Sequence, residues 1–367
     1  MKKIVILIPT LTTGGGEKIA TENANDLSSN GYDVTIIVPR GNIQQKLSPQ
    51  VTVYSGSSRN LLSDWLFCRE KLNKVNPDVV LSYMERANFI NIITSWQKKW
   101  RIITSIHTVP SVAYKKRGLL NRIFIFFTMK LIKINNIPVI CVSKGIMHEL
   151  NKKYRIKNNY YVPNYLSVDL KKDIIHLNVE KNIVFGFVGR LSKIKGCDIF
   201  IDAILLAIKE DIAKNKIFWI IGDGIQKDEL LEKCKKEDIL DRIKFWGNKE
   251  NTSDLFREID YLVIPSYVEG FGLVILEGLY YGCNNIYSLC KYGPAEIMSN
   301  FHQFNDSYAI PNPSINRATT VKQLSQLIKK LNNKKNLMTL QTKREIISRA
   351  FSRESSLKKM LEIIEKE

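Results

Sequence analysis

Two carboxylates eight residues apart are the most informative chemistry-bearing pair in the sequence. Within Pro265–Gly278, Glu269 precedes a glycine-flanked turn and Glu277 lies inside an apolar segment with helical spacing. An acid among apolar neighbours needs hydrogen-bond donors, which two ribose hydroxyls would supply to Glu277. Glu269 would then meet a sugar, and the N–H groups of the turn would face the same ligand. The structural alternative is helix capping by Glu269 and a solvent position for Glu277.

Two glycine-containing loops could bind phosphate. Gly14–Gly16 lies between an apolar run and a helical segment, where backbone N–H groups can approach an anion. This loop lacks the Gly-x-Gly-x-x-Gly spacing of a dinucleotide site, which disfavours NAD, although Arg40 after the second strand could serve NADP. The second loop, Gly189–Gly196, carries Arg190 and Lys195, two cations that could neutralise charge on a departing diphosphate. A tight turn and a solvated basic loop are the structural alternatives.

Both halves of the chain alternate apolar, β-branched runs with segments of helical spacing. Continuous apolar strands separated by helices predict parallel sheets covered on both faces, so each half is expected to be a doubly wound α/β domain. We expect a polar linker over Pro163–Lys181, and a site in the cleft between the domains, beyond the carboxyl ends of the strands. The predicted strands are 3–9, 33–39, 51–54, 78–82, 102–106, 139–142, 183–188, 217–221, 243–246 and 261–265, and the clearest helices are 17–30, 197–211 and 227–237.

The charge of the chain is concentrated in its first half. The sequence has 367 residues and a formal net charge of +19. Residues 1–170 hold 24 basic and 10 acidic side chains, a net +14. The positive electrostatic field of this half favours an anionic partner, which could be nucleic acid, an acidic membrane face or a phosphorylated substrate. With 44% hydrophobic and 25% charged residues, the composition excludes a disordered, collagen-like or disulfide-scaffold protein.

The sequence predicts a cytoplasmic location. Ile4–Ile8 is too short for a signal-peptide core, and no run of about 18 uninterrupted apolar residues occurs that could span a membrane. We expect the cysteines to be reduced core residues, because none forms a Cys-x-x-Cys pair. They are Cys68, Cys141, Cys197, Cys234, Cys283 and Cys290.

A basic and apolar stretch predicts contact with a membrane surface. It runs from Lys115 to Lys133 with six basic residues and no acidic one, and its basic residues include Lys116, Arg117 and Arg122. Such a pattern is typical of a helix lying on anionic lipid, at the inner face of the plasma membrane for a cytoplasmic protein. A helix with its apolar face in the core is the alternative, and both can hold.

The Glu269–Glu277 segment resembles the Glu-x7-Glu signature of retaining family-4 glycosyltransferases with the GT-B fold. Other motifs agree in order along nearly the whole chain. Two segments depart from the family pattern: Gly278 stands where alanine is usual, with Tyr281–Ile286 differing behind it, and Tyr165 stands where glycine is usual. The matching motifs are Gly14–Glu17, His107–Pro110, Val142–Ser143, Val162–Asn164, Gly189–Gly196, Ile221–Gly224, Phe245–Gly247 and Gly293–Glu296.

The resemblance implies two facing Rossmann-like domains and roles for single residues. Residues 1–168, with a last helix at about 351–367 crossing back, would bind the acceptor, and residues 169–350 the nucleotide-sugar donor. Arg190 and Lys195 would hold the diphosphate, and Glu277 the ribose. Glu269, with the N–H groups of Phe271 and Gly272, would address sugar hydroxyls. The further implied residues are His107 near the sugar, Gly15 and Gly16 at the phosphates or acceptor, and Gly189, Gly222 and Leu273 in the donor site.

The leading hypothesis is therefore a retaining glycosyltransferase in surface polysaccharide synthesis. It would move a hexosyl or N-acetylhexosaminyl group from a nucleotide sugar, preferably UDP-linked, to a lipid-linked oligosaccharide at the membrane. The sequence has no Asp-x-Asp, which favours a site without metal or other cofactor. Alternatives are a nucleotide-sugar epimerase or phosphorylase of the same fold, and a basic nucleic-acid-binding protein. The last is disfavoured because no recognised nucleic-acid-binding motif is present.

Overall fold

The chain forms two compact units, which are described separately. A computed structural model describes residues 1–95, 100–113, 119–166, 182–209, 215–335 and 337–366. The first unit comprises Met1–Ser167 with Ser352–Glu367, and the second comprises Val168–Phe351. Most of the predicted linker, from residue 167 to 181, lies outside the described residues.

The first unit is built around a parallel sheet with seven strands in its described residues, in the order β3-β2-β1-β4-β5-β6-β7. Its strands are β1 (Lys3–Leu7), β2 (Asp33–Val38), β3 (Thr52–Ser55), β4 (Val79–Tyr83), β5 (Arg101–Ile106), β6 (Val139–Cys141) and β7 (Asn159–Tyr161). Its helices up to the second unit are α1 (Gly15–Ser29), α2 (Leu61–Val75), α3 (Met84–Thr94), α4 (Pro110–Ala113), α5 (Leu119–Ile134) and α6 (Lys144–Glu149), the last continued by a π-helical turn, Leu150–Tyr154.

The second unit repeats the design with a parallel sheet in the order β10-β9-β8-β11-β12-β13 among its described residues. The strands are β8 (Ile183–Val188), β9 (Lys216–Ile221), β10 (Ile243–Gly247), β11 (Tyr261–Ile264), β12 (Asn284–Ser288) and β13 (Tyr308–Ile310). The helices are α7 (Cys197–Ile208), α8 (Lys227–Lys236), α9 (Ser253–Glu258), α10 (Leu273–Tyr280), α11 (Gly293–Met298), α12 (Arg317–Lys330) and α13 (Leu340–Ala350), with 3₁₀ turns at Lys193–Lys195 and Ser299–Phe301.

Strand β1 shows why the apolar runs are continuous rather than alternating. Ile4 and Ile6 join a core that includes residues of α1, whereas Val5 and Leu7 join a second core with residues of α2 and α3. Successive side chains of a strand point to opposite faces, and here each face is covered by helices. The side chains on both faces of the strand must therefore be apolar.

The last helix, α14 (Arg353–Glu365), belongs to the first unit. Met360, Ile363 and Ile364 enter the same core as β1 and α1. Ser352 caps the helix by accepting a hydrogen bond from the Ser355 N–H at 3.0 Å. Apolar residues at a helical spacing on one face thus complete a core that begins at the other end of the sequence.

The fold-class prediction is confirmed, including the returning last helix. All six cysteines are buried and free. The sequence missed β7, β12 and β13, which are three to five residues long. Asn284 and Asn285 open β12, and asparagine disfavours strands, so tertiary pairing with β11 overrides local propensity there.

Candidate active site

In the second unit, the loops after β8 and β11 meet because these strands are neighbours in the sheet. The Tyr267 N–H donates to the Ile194 carbonyl at 2.8 Å. A Cβ on Gly196 would overlap the Pro265 carbonyl oxygen, so only glycine allows this approach, and its φ of 74° is also left-handed. The phosphate-loop candidate and the Glu-x7-Glu segment thus form one surface at the carboxyl edge of the sheet.

Lys195 and Glu269 form an ion pair at the junction of these loops. The Lys195 ammonium lies 2.7 and 2.8 Å from the two carboxylate oxygens of Glu269. The Ser266 hydroxyl donates to Glu269 Oε1 at 2.8 Å. The Glu269 side chain is 7% exposed and that of Lys195 is 34% exposed. The positive charge of Lys195 therefore compensates the charge of the buried Glu269 carboxylate, while the ammonium group remains accessible from solvent.

The glycines of the phosphate loop serve close backbone packing. The Gly189 N–H donates to the Ile221 carbonyl at 2.9 Å, and the Gly222 N–H donates to the Gly247 carbonyl at 2.8 Å. A Cβ on Gly222 would overlap the Gly189 carbonyl oxygen. These two N–H groups are used within the fold, so an anion at this loop would meet its cationic side chains, Arg190, Lys193 and Lys195.

Helix α10 presents its N-terminus at the same edge. Gly272 has a φ of 99°, which lets the chain turn into the helix at Leu273. Among the described residues, the Phe271 and Gly272 N–H groups have no hydrogen-bond acceptor. Glu277 is half-buried on the second turn of this helix. The edge therefore combines unused backbone donors, an ion pair and a further carboxylate.

The departure from the family pattern at Gly278 has a packing explanation. Asn285 is fully buried on β12. A Cβ on Gly278 would lie 2.9 Å from Asn285 Oδ1 and would also crowd Leu262. The small residue on α10 makes room for a larger, polar one on the neighbouring strand.

In the first unit, the ends of β1, β4 and β5 bring Gly16, Met84 and His107 together. A Cβ on Gly16 would lie 3.2 Å from Met84 Cε and 3.8 Å from His107 Cγ. Met84 has a φ of 70°, a strained conformation for a residue with a side chain. Gly15 has nothing within 4 Å of the position of a Cβ. Packing thus accounts for a small residue at Gly16, whereas Gly15 leaves open space at the start of α1.

His107 is held by its neighbours in a desolvated position. Its ring stacks on Tyr83, with centroids 5.2 Å apart, and its Nε2 lies 2.8 Å from Ser105 Oγ. Nδ1 is buried without a hydrogen-bond partner among the described residues. Desolvation lowers the pKa of the imidazole to about 4, so the ring is neutral at pH 7.

Buried polar side chains connect Tyr83 by hydrogen bonds to Tyr165 and Arg353, which lie where the chain leaves and re-enters the first unit. The Asn23 amide donates to the Tyr83 hydroxyl at 2.6 Å. The Tyr165 hydroxyl donates to Asp26 Oδ2 at 2.7 Å, and its oxygen also lies 3.1 Å from Asn23 Oδ1. Arg353 pairs with the other oxygen of Asp26. Burial and the nearby Asp26 carboxylate raise the pKa of the Tyr165 hydroxyl, so it stays a donor.

Two family models match the chain and together span residues 13–344. Residues 13–171 match a family described as Glycosyltransferase Family 4, and residues 168–344 match Glycosyl transferases group 1. The chain is a GT-B glycosyltransferase.

Curated relatives and solved structures agree with this assignment. An alpha-1,4-N-acetyl-D-galactosaminyltransferase of Campylobacter jejuni, named for the acceptor GalNAc-alpha-(1->4)-GalNAc-alpha-(1->3)-diNAcBac-PP-undecaprenol, is 27% identical over 82% of this chain and 83% of its own length. The amylovoran biosynthesis glycosyltransferase AmsD of Erwinia amylovora is 26% identical over 89% and 90%. The structure of Anabaena HepE in complex with UDP and glucose superimposes with a TM-score of 0.77 at 16% identity, covering 100% of both chains.

Within this glycosyltransferase, the structure brings some predicted site residues together and leaves others untested. Lys195 meets Glu269, and Gly16 meets His107. Lys115, Lys116 and Arg117 lie outside the described residues. No helix in the described part of the chain is long and apolar enough to cross a membrane.

Sequence reasoning missed Asn23 and Asp26. Both lie on the face of α1 that carries Ala20, Ala24 and Leu27, all buried. Polar residues repeated at helical spacing inside an apolar stripe signal a buried hydrogen-bond network, and this signal is readable in the sequence.

His107 predicts a specific pH dependence of stability. Its folded pKa of about 4 lies below the ordinary 6.5, so only the unfolded chain gains a proton on it as the pH falls below about 6.5. This histidine should therefore cost stability progressively between about pH 6.5 and 4, on the order of 3 kcal/mol in total. His107→Gln should flatten that part of the melting-temperature profile, measured by thermal denaturation.

His302→Gln, which removes an exposed imidazole, is the matched control and should keep the wild-type profile. An unchanged pH slope in His107→Gln would contradict the desolvated position of this ring.

Proposed function

We propose that this glycosyltransferase moves a hexosyl or N-acetylhexosaminyl group from a UDP-sugar to a sugar of a lipid-linked oligosaccharide. Transfer retains the anomeric configuration and uses no metal. The product is a precursor of a bacterial surface polysaccharide. The observation that carries the proposal is the Lys195–Glu269 pair beside Arg190 and the N-terminus of α10.

This arrangement matches the charge demands of glycosyl transfer. When the sugar–phosphate bond breaks, negative charge accumulates on the departing diphosphate while the sugar becomes oxocarbenium-like. Lys195 has three N–H groups, so it can keep Glu269 compensated and still donate to a phosphate oxygen. Arg190 supplies a second cation, so protein charges can do the work of a divalent ion.

The remaining roles follow from position in each unit. The Phe271 and Gly272 N–H groups can donate to an oxyanion or a sugar hydroxyl, and Glu277 can accept from ribose hydroxyls. The neutral, half-buried His107 ring can contact a substrate bound at the end of β5. Gly15 leaves room for a ligand beside the start of α1.

The relatives support the substrate classes. The Campylobacter enzyme is named for an undecaprenol-diphosphate-linked glycan and an N-acetylgalactosaminyl transfer, and AmsD for biosynthesis of a polysaccharide. HepE was solved with UDP and glucose. The similarity to the Campylobacter enzyme extends over 82% of this chain, which favours a diphosphate-linked lipid acceptor.

A panel of nucleotide sugars tests the donor assignment. A UDP-sugar should raise the melting temperature, because a ligand that binds only the folded state stabilises it. The same UDP-sugar, given a lipid-linked oligosaccharide and EDTA, should yield an α-linked product by NMR. Stabilisation only by GDP- or ADP-sugars, or conversion of the UDP-sugar without transfer to the acceptor, would refute the proposal.

The two cations can be tested by substitution. Arg190→Ala and Lys195→Ala should each lower kcat about a hundredfold, because each removes a charge partner of the leaving diphosphate. Lys193→Ala, which removes an exposed cation from the same 3₁₀ turn, should leave kcat unchanged.

Lys195→Ala also leaves the Glu269 carboxylate buried without its cation, so it should lower the melting temperature. Adding Glu269→Gln should restore the melting temperature but not kcat. Recovery of kcat in the double variant would show that Lys195 acts only through the stability of the fold.

Helix α5 supports the membrane part of the proposal. One side of the helix, with Ile125, Met129 and Ile132, is buried. The other side exposes apolar residues together with Arg122, Lys130 and Lys133. The exposed apolar residues are Leu119 (68%), Ile123 (43%), Phe126 (59%), Phe127 (53%) and Ile134 (67%). The helix is thus a core element whose outer face has the composition of an interfacial helix, and we propose that it lies on the anionic cytoplasmic leaflet.

Phe126→Ser with Phe127→Ser should weaken cosedimentation with phosphatidylglycerol vesicles at least tenfold, because two aromatic rings no longer enter the interface. Nucleotide-sugar binding should not change. Ile225→Ser with Ile315→Ser, which removes exposed apolar residues of the second unit, is the control and should sediment as wild type. If both double variants sedimented equally, the proposal that the outer face of α5 lies on the membrane would be wrong.

A further inference from the structure

Two arginines share one buried carboxylate at the carboxyl edge of the first unit's sheet. Arg40 follows β2, and Arg86 lies in the first turn of α3, directly after β4. These strands flank β1, whose following loop leads to the start of α1. Both side chains reach Asp64, on α2, whose carboxylate has no solvent exposure.

The geometry leaves most of the guanidinium donors unused. Arg40 Nε donates to Asp64 Oδ2 at 3.1 Å, and Arg86 Nε donates to the same oxygen. Neither terminal nitrogen of Arg40 has an acceptor among the described residues, and Arg86 Nη2 is buried without one. The two side chains are 32% and 31% exposed. Asp64 therefore fixes two guanidinium groups side by side, and the two terminal nitrogens of Arg40, together with Nη1 of Arg86, remain for another acceptor.

Two neighbouring guanidinium groups with unused N–H groups fit a specific chemistry. Arg40 can donate two parallel hydrogen bonds to the oxygens of one phosphate, and Arg86 can donate from Nη1 to the other phosphate of a diphosphate. Glu85, beside Arg86 in the first turn of α3, is also buried, and together with Asp64 it offsets the charge of the two arginines. Selectivity therefore comes from the oriented donors more than from a large net charge. A buried carboxylate between two arginines is a way to hold them together against mutual repulsion.

We propose that Arg40 and Arg86, positioned by Asp64, form a second oxyanion site that binds the diphosphate of the acceptor substrate. This inference rests on the proposed function for its acceptor but not for its donor site. The residues that anchor the acceptor diphosphate then belong to the first unit, and those assigned to the donor diphosphate belong to the second. The site makes recognition of the acceptor depend on the diphosphate as well as on its sugar.

The binding test uses the full chain, saturated with UDP so that the donor site is occupied. Inorganic pyrophosphate should bind, as measured by calorimetry, and Arg40→Gln and Arg86→Gln should each weaken binding about tenfold. Arg40→Lys, which keeps the charge but loses the paired terminal donors, should also weaken it. Arg59→Gln, which removes an exposed arginine after β3 with no contact to Asp64, should bind as wild type.

Asp64→Asn separates orientation from charge. It adds positive charge to the site but removes the group that orients both arginines, so pyrophosphate binding should weaken. Tighter binding would show that the charge acts without orientation and would overturn the site. If this variant does not fold, the arginine variants decide alone: pyrophosphate affinity unchanged in Arg40→Gln with Arg86→Gln would equally overturn it.

The source of the diphosphate is tested by comparing acceptors. Arg40→Gln should raise the KM for a diphosphate-linked acceptor about tenfold, with kcat, the donor KM and the KM for the same glycan on a neutral alkyl chain unchanged. Loss of phosphatidylglycerol-vesicle binding with no change in acceptor KM would assign the site to lipid headgroups and overturn the acceptor role. If no nucleotide sugar binds or reacts, the proposed function fails, whereas the pyrophosphate titration still reports on this site.

Discussion

A parallel strand can reach its neighbour only through a crossover on the face of the sheet, so every strand of a parallel sheet ends on the same edge. In this glycosyltransferase that constraint acts twice. It brings the loop after β8 against the loop after β11, and so forms the Lys195–Glu269 pair from residues 74 positions apart. It also places Gly16, Met84 and His107 together from three different strand ends. The chemistry of both units follows from where the strands stop.

The sequence predicted those features that depend on local pattern. The apolar runs identified most strands of both sheets, because a strand covered on both faces must be apolar at every position. Gly196 and Gly222 lie in motifs that the sequence marked, and the structure explains them, because a side chain at either would overlap a neighbouring loop's backbone. The short strands β7 and β13 were not predicted, since three residues carry no periodic signal and neither is a β-branched apolar run of the kind that identified β6.

Partnerships between distant polar residues could not be predicted in the same way. The sequence marked Glu269 and Lys195 as functional residues, but it assigned them to different parts of the ligand and gave no sign that they bind each other. Asp26 shows the same limit: its place on the apolar face of α1 is readable in the sequence, but its partner Arg353 lies 327 positions along the chain. Tyr165 departs from the family pattern, and its role becomes clear only from its hydrogen bond to Asp26 in the structure.

Because helix α14 is synthesised after the second unit, the first unit completes its core late. Met360, Ile363 and Ile364 fill part of the core that β1 and α1 begin. While a ribosome is still translating the second unit, the first unit lacks these side chains, and one face of its sheet stays partly uncovered. The second unit can complete its own core before the first does. The nascent first unit therefore exposes apolar surface for the whole time that residues 168–351 are made, and it closes only when the last helix leaves the exit tunnel.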